Sequence, residues 1–282
     1  MNFISHETPV DLSNCDREPI HIPGQVQAHG ALFAVERATG LIVQVSDNVG
    51  AFLDVAPESL LGKSLAAVLS SPDLPLAERA LAQESVERSP FHLGVFERGS
   101  QRFDVIGHTD GPLAIVELDP VVSEVSAPDF YQFASRTIAG LHGIPTTSVY
   151  CQALTAAIHD LTGYDRVMVY KFADDWSGHV IAETMAPDKG LSPFLDLHYP
   201  ASDIPAQARA LFLKNTVRML PDAQYQPARL VPEVNPVTGQ PLDLSHAFLR
   251  GASVMYTEYL VNMGVRASLT IALTEGDRLW GL

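Results

Sequence analysis

Cysteine is nearly absent from this 282-residue sequence, which contains only Cys15 and Cys151. Two thiols cannot build a disulfide framework, and they cannot supply a cysteine-rich zinc site. So few thiols are typical of a chain in a reducing compartment, where disulfides do not persist. We therefore expect a cytoplasmic protein without structural disulfides or zinc.

Basic residues are also scarce, because 18 Lys and Arg stand against 33 Asp and Glu, with a formal net charge of −15. Phosphate backbones and anionic lipids are attracted by basic surface, so neither nucleic acid nor a membrane is an expected partner. Long apolar runs are missing too, since none reaches the ~18 residues of a membrane span. The first residues carry acids and lack the basic-then-apolar order of a secretory signal.

What is present is a globular composition, 46% hydrophobic and 18% charged, in a chain long enough for two ordinary domains. The first half predicts a strand pair with a turn at 39–40, short helices over 57–69, and then three further strands. The predicted strands cover 32–35, 41–45, 91–97, 101–108 and 112–118. This order of elements is typical of a PAS domain.

The second half predicts helices that flank an antiparallel sheet, with a long insertion at 221–246 that contains five prolines. The predicted helices cover 129–142, 147–162, 204–216 and 254–262, and the predicted strands cover 165–172, 178–184, 266–274 and 278–282. This arrangement fits a GAF domain.

These patterns predict an N-terminal extension at 1–18, a PAS domain at 19–118, a linker at 119–128 and a GAF domain at 129–282. The last residues fall within a predicted strand. We therefore expect the GAF domain to be truncated and the chain to be a fragment of a longer protein.

Four segments carry a more specific signal. They read IHIPGQVQAHG at 20–30, DRVMVYKF at 165–172, PASDIPAQAR at 200–209 and YLVNMGVRAS at 259–268. The third resembles the PASDIP signature of phytochrome GAF domains, and the others are similar to segments of the same family. Ala28 departs from the family, which usually has proline there. Four matches in the family's order show that the chain resembles the bacterial phytochromes.

The resemblance implies an α+β fold in which a PAS domain is followed by a GAF domain, each an antiparallel sheet flanked by helices. It also implies a figure-of-eight knot, with the N-terminal segment threaded through the insertion at 221–249. The implied function is a red/far-red photoreceptor module that binds biliverdin covalently. Bilin photoisomerisation would signal to PHY and output domains outside this chain, commonly a histidine kinase.

The resemblance implies that Cys15 forms a thioether with a vinyl group on ring A of biliverdin. Read alone, an N-terminal cysteine is more simply a free surface thiol. Plant and cyanobacterial relatives carry the ligand-binding cysteine in the GAF domain, where this chain has Met255. Cys151 lies in an apolar helix and is expected to be an inert core residue.

The other candidate bilin-binding residues follow from the same resemblance. Arg218 and Arg250 would pair with the propionates, with hydroxyls from the serine and threonine candidates nearby. The carbonyl of Asp203 would accept from the pyrrole N–H groups, although Asp203 also suits a helix N-cap. The remaining candidates are Ile204, Ser253, Ser268 and Thr270, the D-ring residues Tyr170, Tyr199 and Tyr259, and Tyr256, which stands where the family usually has histidine.

Other interpretations stay open at this point. The same scaffold could be a near-infrared fluorescent protein, with Tyr256 as the substitution that favours emission. A bilin-free PAS–GAF regulatory or dimerisation module would stay colourless with biliverdin. A homodimer could form through helices 129–142 and 254–262, whose apolar stripes core packing explains equally well. We do not expect an enzyme, because no nucleophile–base pair, metal cluster or phosphate loop is recognisable.

Overall fold

The computed structural model describes residues 14–69, 76–82, 90–122 and 127–282, without the side chains of Cys15 and residues 127–129. The helices are α1 (Gly50–Leu53), α2 (Leu65–Val68), α3 (Leu76–Ala82), α4 (Ala127–Leu141), α5 (Thr147–Thr162), α6 (Ala206–Lys214) and α7 (Val254–Asn262). Short 3₁₀ turns cover Cys15–Arg17, Asp47–Val49 and Pro57–Ser59. None of the helices in these ranges combines the length and the apolar character needed to cross a bilayer.

The strands of the described residues form three antiparallel groups. They are β1 (Gln25–Val26), β2 (Ala31–Glu36), β3 (Leu41–Ser46), β4 (Phe91–Arg98), β5 (Gln101–Asp110), β6 (Leu113–Pro120), β7 (Arg166–Phe172), β8 (Gly178–Met185), β9 (His198–Tyr199), β10 (Val217–Leu220), β11 (Ala228–Val231), β12 (Ser268–Ile271), β13 (Leu273–Glu275) and β14 (Arg278–Gly281). The chain separates into two compact units, which are described in turn.

The first unit combines the described residues up to Val122 with Ala206–Ile271. Its seven-stranded sheet has the order β1-β11-β3-β2-β6-β5-β4. The predicted hairpin and the three later strands of the first half are confirmed as β2 to β6. The prediction missed β11 and β1, which extend this sheet at one edge.

Strand β2 shows why this sheet is buried on both faces. Alternate residues of a strand point to opposite faces. Phe33 packs with the core that includes the short helices α1 to α3, whereas Leu32 packs with Leu244 and Leu249 of the insertion. The insertion therefore covers the second face of the PAS sheet.

The N-terminal segment is hydrogen-bonded on both of its edges. On one edge the carbonyl of Gly24 accepts from Leu230 N–H at 3.1 Å. On the other edge Gln27 N–H donates to Leu249 at 2.8 Å, and Gly251 N–H donates to Gln25 at 3.0 Å. A Cβ at Gly251 would lie 2.7 Å from the Gln25 carbonyl oxygen, so only glycine permits this approach. The figure-of-eight knot stays a prediction.

The prediction of one continuous strand at 266–274 is wrong. The pattern at 266–274 predicts a single strand, but the chain breaks there into β12 and β13, which join different sheets. Strand β12 pairs with β10, a strand that the sequence pattern did not reveal. Strands β12 and β13 have only four and three residues. Their alternation of apolar and polar residues is too short to show where one strand ends and the next begins.

The second unit contains the described residues 127–205 and 272–282. Its five-stranded sheet has the order β13-β14-β7-β8-β9, and helix α5 packs on it. Helix α5 begins after Thr146, whose side-chain oxygen accepts from Val149 N–H. Cys151 packs against Val169 and Ala182 at 2% exposure, and burial raises the pKa of its thiol. Its predicted place in the core is confirmed.

A buried histidine on β5 makes the stability of the first unit sensitive to acid. His108 is 7% exposed, and its ring centroid lies 5.8 Å from that of His246. Burial, with a smaller effect from His246, lowers the pKa of His108 from 6.5 to about 3. The unfolded chain thus takes up this proton at a higher pH than the folded chain does, so stability falls as pH drops from 6.5 towards 3.

We predict that His108→Gln reduces the slope of the unfolding free energy against pH by about 1 kcal/mol per pH unit between pH 6 and 4. Urea unfolding at several pH values measures the slope. His142→Gln, at an exposed position that follows α4, is the control and should not reproduce this reduction of the slope. Parallel stability curves for the wild type and His108→Gln would contradict the assignment.

Candidate functional site

A short antiparallel ladder gathers three of the predicted site residues. In the pairing of β10 with β12, Arg218 lies opposite Thr270, and Ser268 is two residues from Thr270 on the same strand. Residues that face each other across a ladder, and residues two apart on one strand, share a face. Arg218, Thr270 and Ser268 therefore project from one face of this ladder.

Helix α7 adds two more of the predicted residues. The hydroxyl of Tyr256 lies 2.9 Å from Ser268 Oγ. Ser253, at the N-cap position of the helix, donates to the Glu18 carboxylate at 2.5 Å. Glu18 follows the 3₁₀ turn Cys15–Arg17, so this bond ties the chain just after Cys15 to the start of α7. The Cys15 side chain itself lies outside the described residues, and Tyr259 is 43% exposed on α7.

The most unusual feature of the first unit is a pair of buried arginines. Arg218 and Arg250 are 8% and 9% exposed. Arg218 Nη2 donates to the carbonyl of Arg250 at 2.5 Å. The Nη1 atoms of both arginines are buried and have no hydrogen-bond partner among the described residues. Two guanidinium groups thus present unused donors inside the protein.

The arginine pair is electrostatically unfavourable without an anion. Burial lowers the pKa of Arg218. Burial, and then the charge of Arg218, lower the pKa of Arg250 to about 9. A desolvated cation that lacks a partner costs free energy, and a carboxylate can accept two guanidinium hydrogen bonds. The arrangement is therefore suited to bind an anionic ligand that carries carboxylates.

In the second unit the predicted aromatic residues form a cluster. Tyr170 on β7 is 7% exposed, and its ring centroid lies 5.9 Å from that of Tyr199 on β9. Phe172 adds an edge contact to Tyr170 at 5.3 Å. A Cβ at Gly178 would lie 1.6 Å from the Tyr170 ring, so the glycine makes room for it. The cluster offers apolar surface next to phenolic hydroxyls.

The segment at 200–204 follows this cluster along the chain. Asp203 N–H donates to the Pro200 carbonyl at 3.1 Å, and the Asp203 side chain is exposed. Partial desolvation raises the pKa of its carboxyl, although a hydrogen bond from Ser202 opposes the shift. Ile204 is half-buried. Within the described residues no three His, Cys, Asp or Glu side chains meet as a metal site.

Sequence reasoning missed an ion pair that anchors the loop before β9. Arg166 Nε lies 2.9 Å from Glu183 Oε1, and the Glu183 carboxylate accepts from the N–H groups of Phe194 and Leu195. The Arg166 guanidinium stacks 3.6 Å above the Phe194 ring. In the β7–β8 register Met168 faces Glu183, which places Arg166 diagonally on the same face. The hairpin register was therefore the signal that could have revealed the pair.

Comparison with known proteins supports the fold predicted for both halves. A family model described as the PAS fold matches residues 15–121, and a GAF domain model matches residues 147–282. The crystal structure of the chromophore-binding domain of an unusual bacteriophytochrome from R. palustris superposes with a TM-score of 0.83 at 40% identity. The match covers 95% of this chain and 87% of that one. The predicted α+β PAS–GAF fold is confirmed.

Full-length relatives are similar across the whole chain. It is 42% identical over its full length to cyanobacterial phytochrome B of Nostoc sp., and covers 38% of that protein. It is 40% identical over 98% of its length to a bacteriophytochrome of Pseudomonas aeruginosa, and covers 37% of that protein. The chain thus spans less than two fifths of these curated relatives.

The arginine pair leads to a prediction about stability. Arg250→Met replaces a buried, desolvated cation by an apolar side chain of similar length. We predict that this raises the free energy of unfolding of the ligand-free protein by about 1 kcal/mol. Urea unfolding at pH 7 measures the change. Arg229→Met, at an exposed position of β11, is the control and should shift stability by less than about 0.5 kcal/mol. A destabilised Arg250→Met protein would contradict the prediction.

Proposed function

This chain belongs to the bacterial phytochrome family, and we propose that it is the light-sensing segment of a red/far-red photoreceptor, with biliverdin as its covalently attached chromophore. The related R. palustris structure is a chromophore-binding domain, which supports a ligand site in this chain. The proposed segment has no catalytic activity of its own. We propose the boundaries 19–118 for its PAS domain, 119–128 for the linker and 129–282 for its GAF domain.

The single observation that carries the proposal is the buried arginine pair. Biliverdin is a long apolar tetrapyrrole with two propionates. Arg218 and Arg250 supply two unused Nη1 donors in a desolvated site, which is the chemistry that two carboxylates require. The hydroxyls of Ser253, Ser268 and Thr270 would add donors around the propionates. The chain's own residues thus fit the group.

The remaining candidate residues would contact the conjugated rings of the bilin. We propose that Tyr170, Tyr199 and Tyr259 contact the D ring, and that the backbone carbonyl of Asp203 accepts from pyrrole N–H groups beside Ile204. The aromatic cluster of Tyr170 and Tyr199 supports this role. When bound, biliverdin supplies the light absorption and the isomerising double bond. The protein residues orient it and exclude water.

Cys15 would hold the chromophore covalently. Its thiolate would add to the vinyl group of ring A, so that a C–S bond forms and the vinyl carbon takes a proton; this addition needs no oxidant. The hydrogen bond between Ser253 and Glu18 supports the assignment. Glu18 is three residues after Cys15, so this bond holds the part of the chain next to Cys15 at the start of α7.

Signalling would depend on domains outside this chain. We propose that bilin photoisomerisation is passed to downstream PHY and output domains. The length of the relatives supports this proposal, because they are more than twice as long as the part that this chain matches.

Tyr256 favours a second candidate, a near-infrared fluorescent protein on the same scaffold. Its hydroxyl is already engaged with Ser268, which restrains the ring beside the arginine pair. A rigid side chain at this place would hinder bilin rotation and favour emission. A bilin-free PAS–GAF module is the third alternative.

The deciding experiment is an absorption spectrum after addition of biliverdin, before and after red light. The proposal predicts a red band that decreases under red light and a new far-red band. A strongly fluorescent red band without photoconversion would instead support the second candidate, and Tyr256→His should then restore photoconversion. A colourless protein would exclude both and leave the bilin-free module.

The covalent link gives a separate prediction. Cys15→Ser should still bind biliverdin, because the arginines and the aromatic cluster remain, but the pigment should separate from the denatured protein. Denaturing gels stained with zinc, or acid–urea spectra, measure this. Cys151→Ser is the matched control and should retain the bound pigment. If pigment migrates with denatured Cys15→Ser, the attachment site has been assigned wrongly.

A further inference from the structure

A buried carboxylate of the PAS sheet contacts the segment that carries Arg250. Glu117 lies on β6 at 0% exposure. Its Oε1 accepts from Phe248 N–H at 3.0 Å, and its Oε2 accepts from Leu249 N–H at 2.5 Å. Both carboxylate oxygens are therefore used to hold the two peptide units that precede Arg250.

The carbonyl of Arg250 is held from another direction. Gln27 Nε2 donates to it at 3.3 Å, and Arg218 Nη2 donates to it at 2.5 Å. Gln27 N–H also donates to the Leu249 carbonyl at 2.8 Å. The backbone around Arg250 thus has little freedom, and the guanidinium group of Arg218 is fixed in the same network.

The charge of Glu117 also acts on this network. Burial raises the pKa of Glu117 to about 7, while the hydrogen bonds from Leu249 and Phe248 and the charge of Arg218 act in the opposite direction. Burial lowers the pKa of Arg218, and the charge of Glu117 opposes this shift, after Tyr225 and Tyr256, and so favours the charged form. A neutral side chain could hold an amide without this desolvation cost. The desolvation cost of the Glu117 carboxylate has a physical reason if its negative charge favours the charged form of Arg218.

We propose that Glu117 is a positioning residue for carboxylate recognition, contributed by the PAS sheet to the arginine pair. It clamps the chain before Arg250 and supports the charged state of Arg218, so that both Nη1 donors are directed and cationic when a carboxylate arrives. This inference rests on the proposed function, because it takes the bilin propionates as the carboxylates.

A positioning role differs measurably from a general role in folding. Biliverdin and biliverdin dimethyl ester share the tetrapyrrole, but the ester has no propionate charge. If Glu117 acts through the arginines, its loss should weaken binding of the free acid and spare the ester. If Glu117 only supports the fold, both ligands should bind more weakly by the same factor.

The experiment measures the Kd of both ligands by absorption titration in proteins that all carry Cys15→Ser, so that binding stays reversible. The Cys15→Ser protein with no other change, called the wild type below, is compared with Glu117→Gln and with the control Glu97→Gln, an exposed glutamate on β4. The expected result is an about tenfold loss for biliverdin in Glu117→Gln and less than about twofold for the ester. Glu97→Gln should match the wild type. If Glu117→Gln does not fold, Glu117→Asp, which withdraws the carboxylate by one methylene, should show the same selective loss.

The outcomes separate this inference from the function on which it rests. A wild type that binds neither ligand overturns the proposed function, and the inference fails with it. A wild type that binds both ligands equally removes the arginine pair from recognition and also overturns the inference. If the wild type prefers the free acid while Glu117 variants keep the same preference, only the positioning role is refuted.

Discussion

Residues 248–251 are the part of the first unit on which the arrangement of the site depends. Glu117 holds this segment from the PAS sheet, while Gln25 and Gln27 hold it from the N-terminal segment. These contacts join parts of the sequence more than 100 residues apart. Because the segment carries Arg250, whose carbonyl in turn fixes Arg218, the orientation of both arginines follows from long-range packing.

This arrangement places an unfavourable charge distribution inside a well-packed unit. Burial lowers the pKa of both arginines, Arg218 lowers that of Arg250 further, and both leave donors unused. By contrast, Phe33 and Leu32 bury apolar surface on both faces of the PAS sheet. Burial of large apolar side chains contributes roughly 2–3 kcal/mol each, so a few of them offset one strained polar group. A ligand that neutralises the arginines would recover that cost as binding free energy.

An element could be predicted from the sequence when its apolar pattern repeats several times, and it was missed when the element is too short for the pattern to repeat. Helix α5 and strands β4 to β6 show several periods of their apolar pattern and could be placed within a few residues. Strands β10 and β11 have four residues each, and their partners lie far away in sequence. The candidate residues came from family motifs instead. Glu117 and the Arg166–Glu183 pair had no motif, because their importance arises only when distant chain segments meet.

Tyr256 shows how a single departure from the family can change the charge of a site. A histidine there could take up a proton near neutral pH and place a further positive charge close to Arg218. A tyrosine cannot become a cation. Its hydroxyl instead bonds to Ser268, so that a ring and a strand are held together beside the arginine pair. In this chain the two arginines therefore carry the positive charge of the site, and the charge of Glu117 on β6 favours the charged form of Arg218.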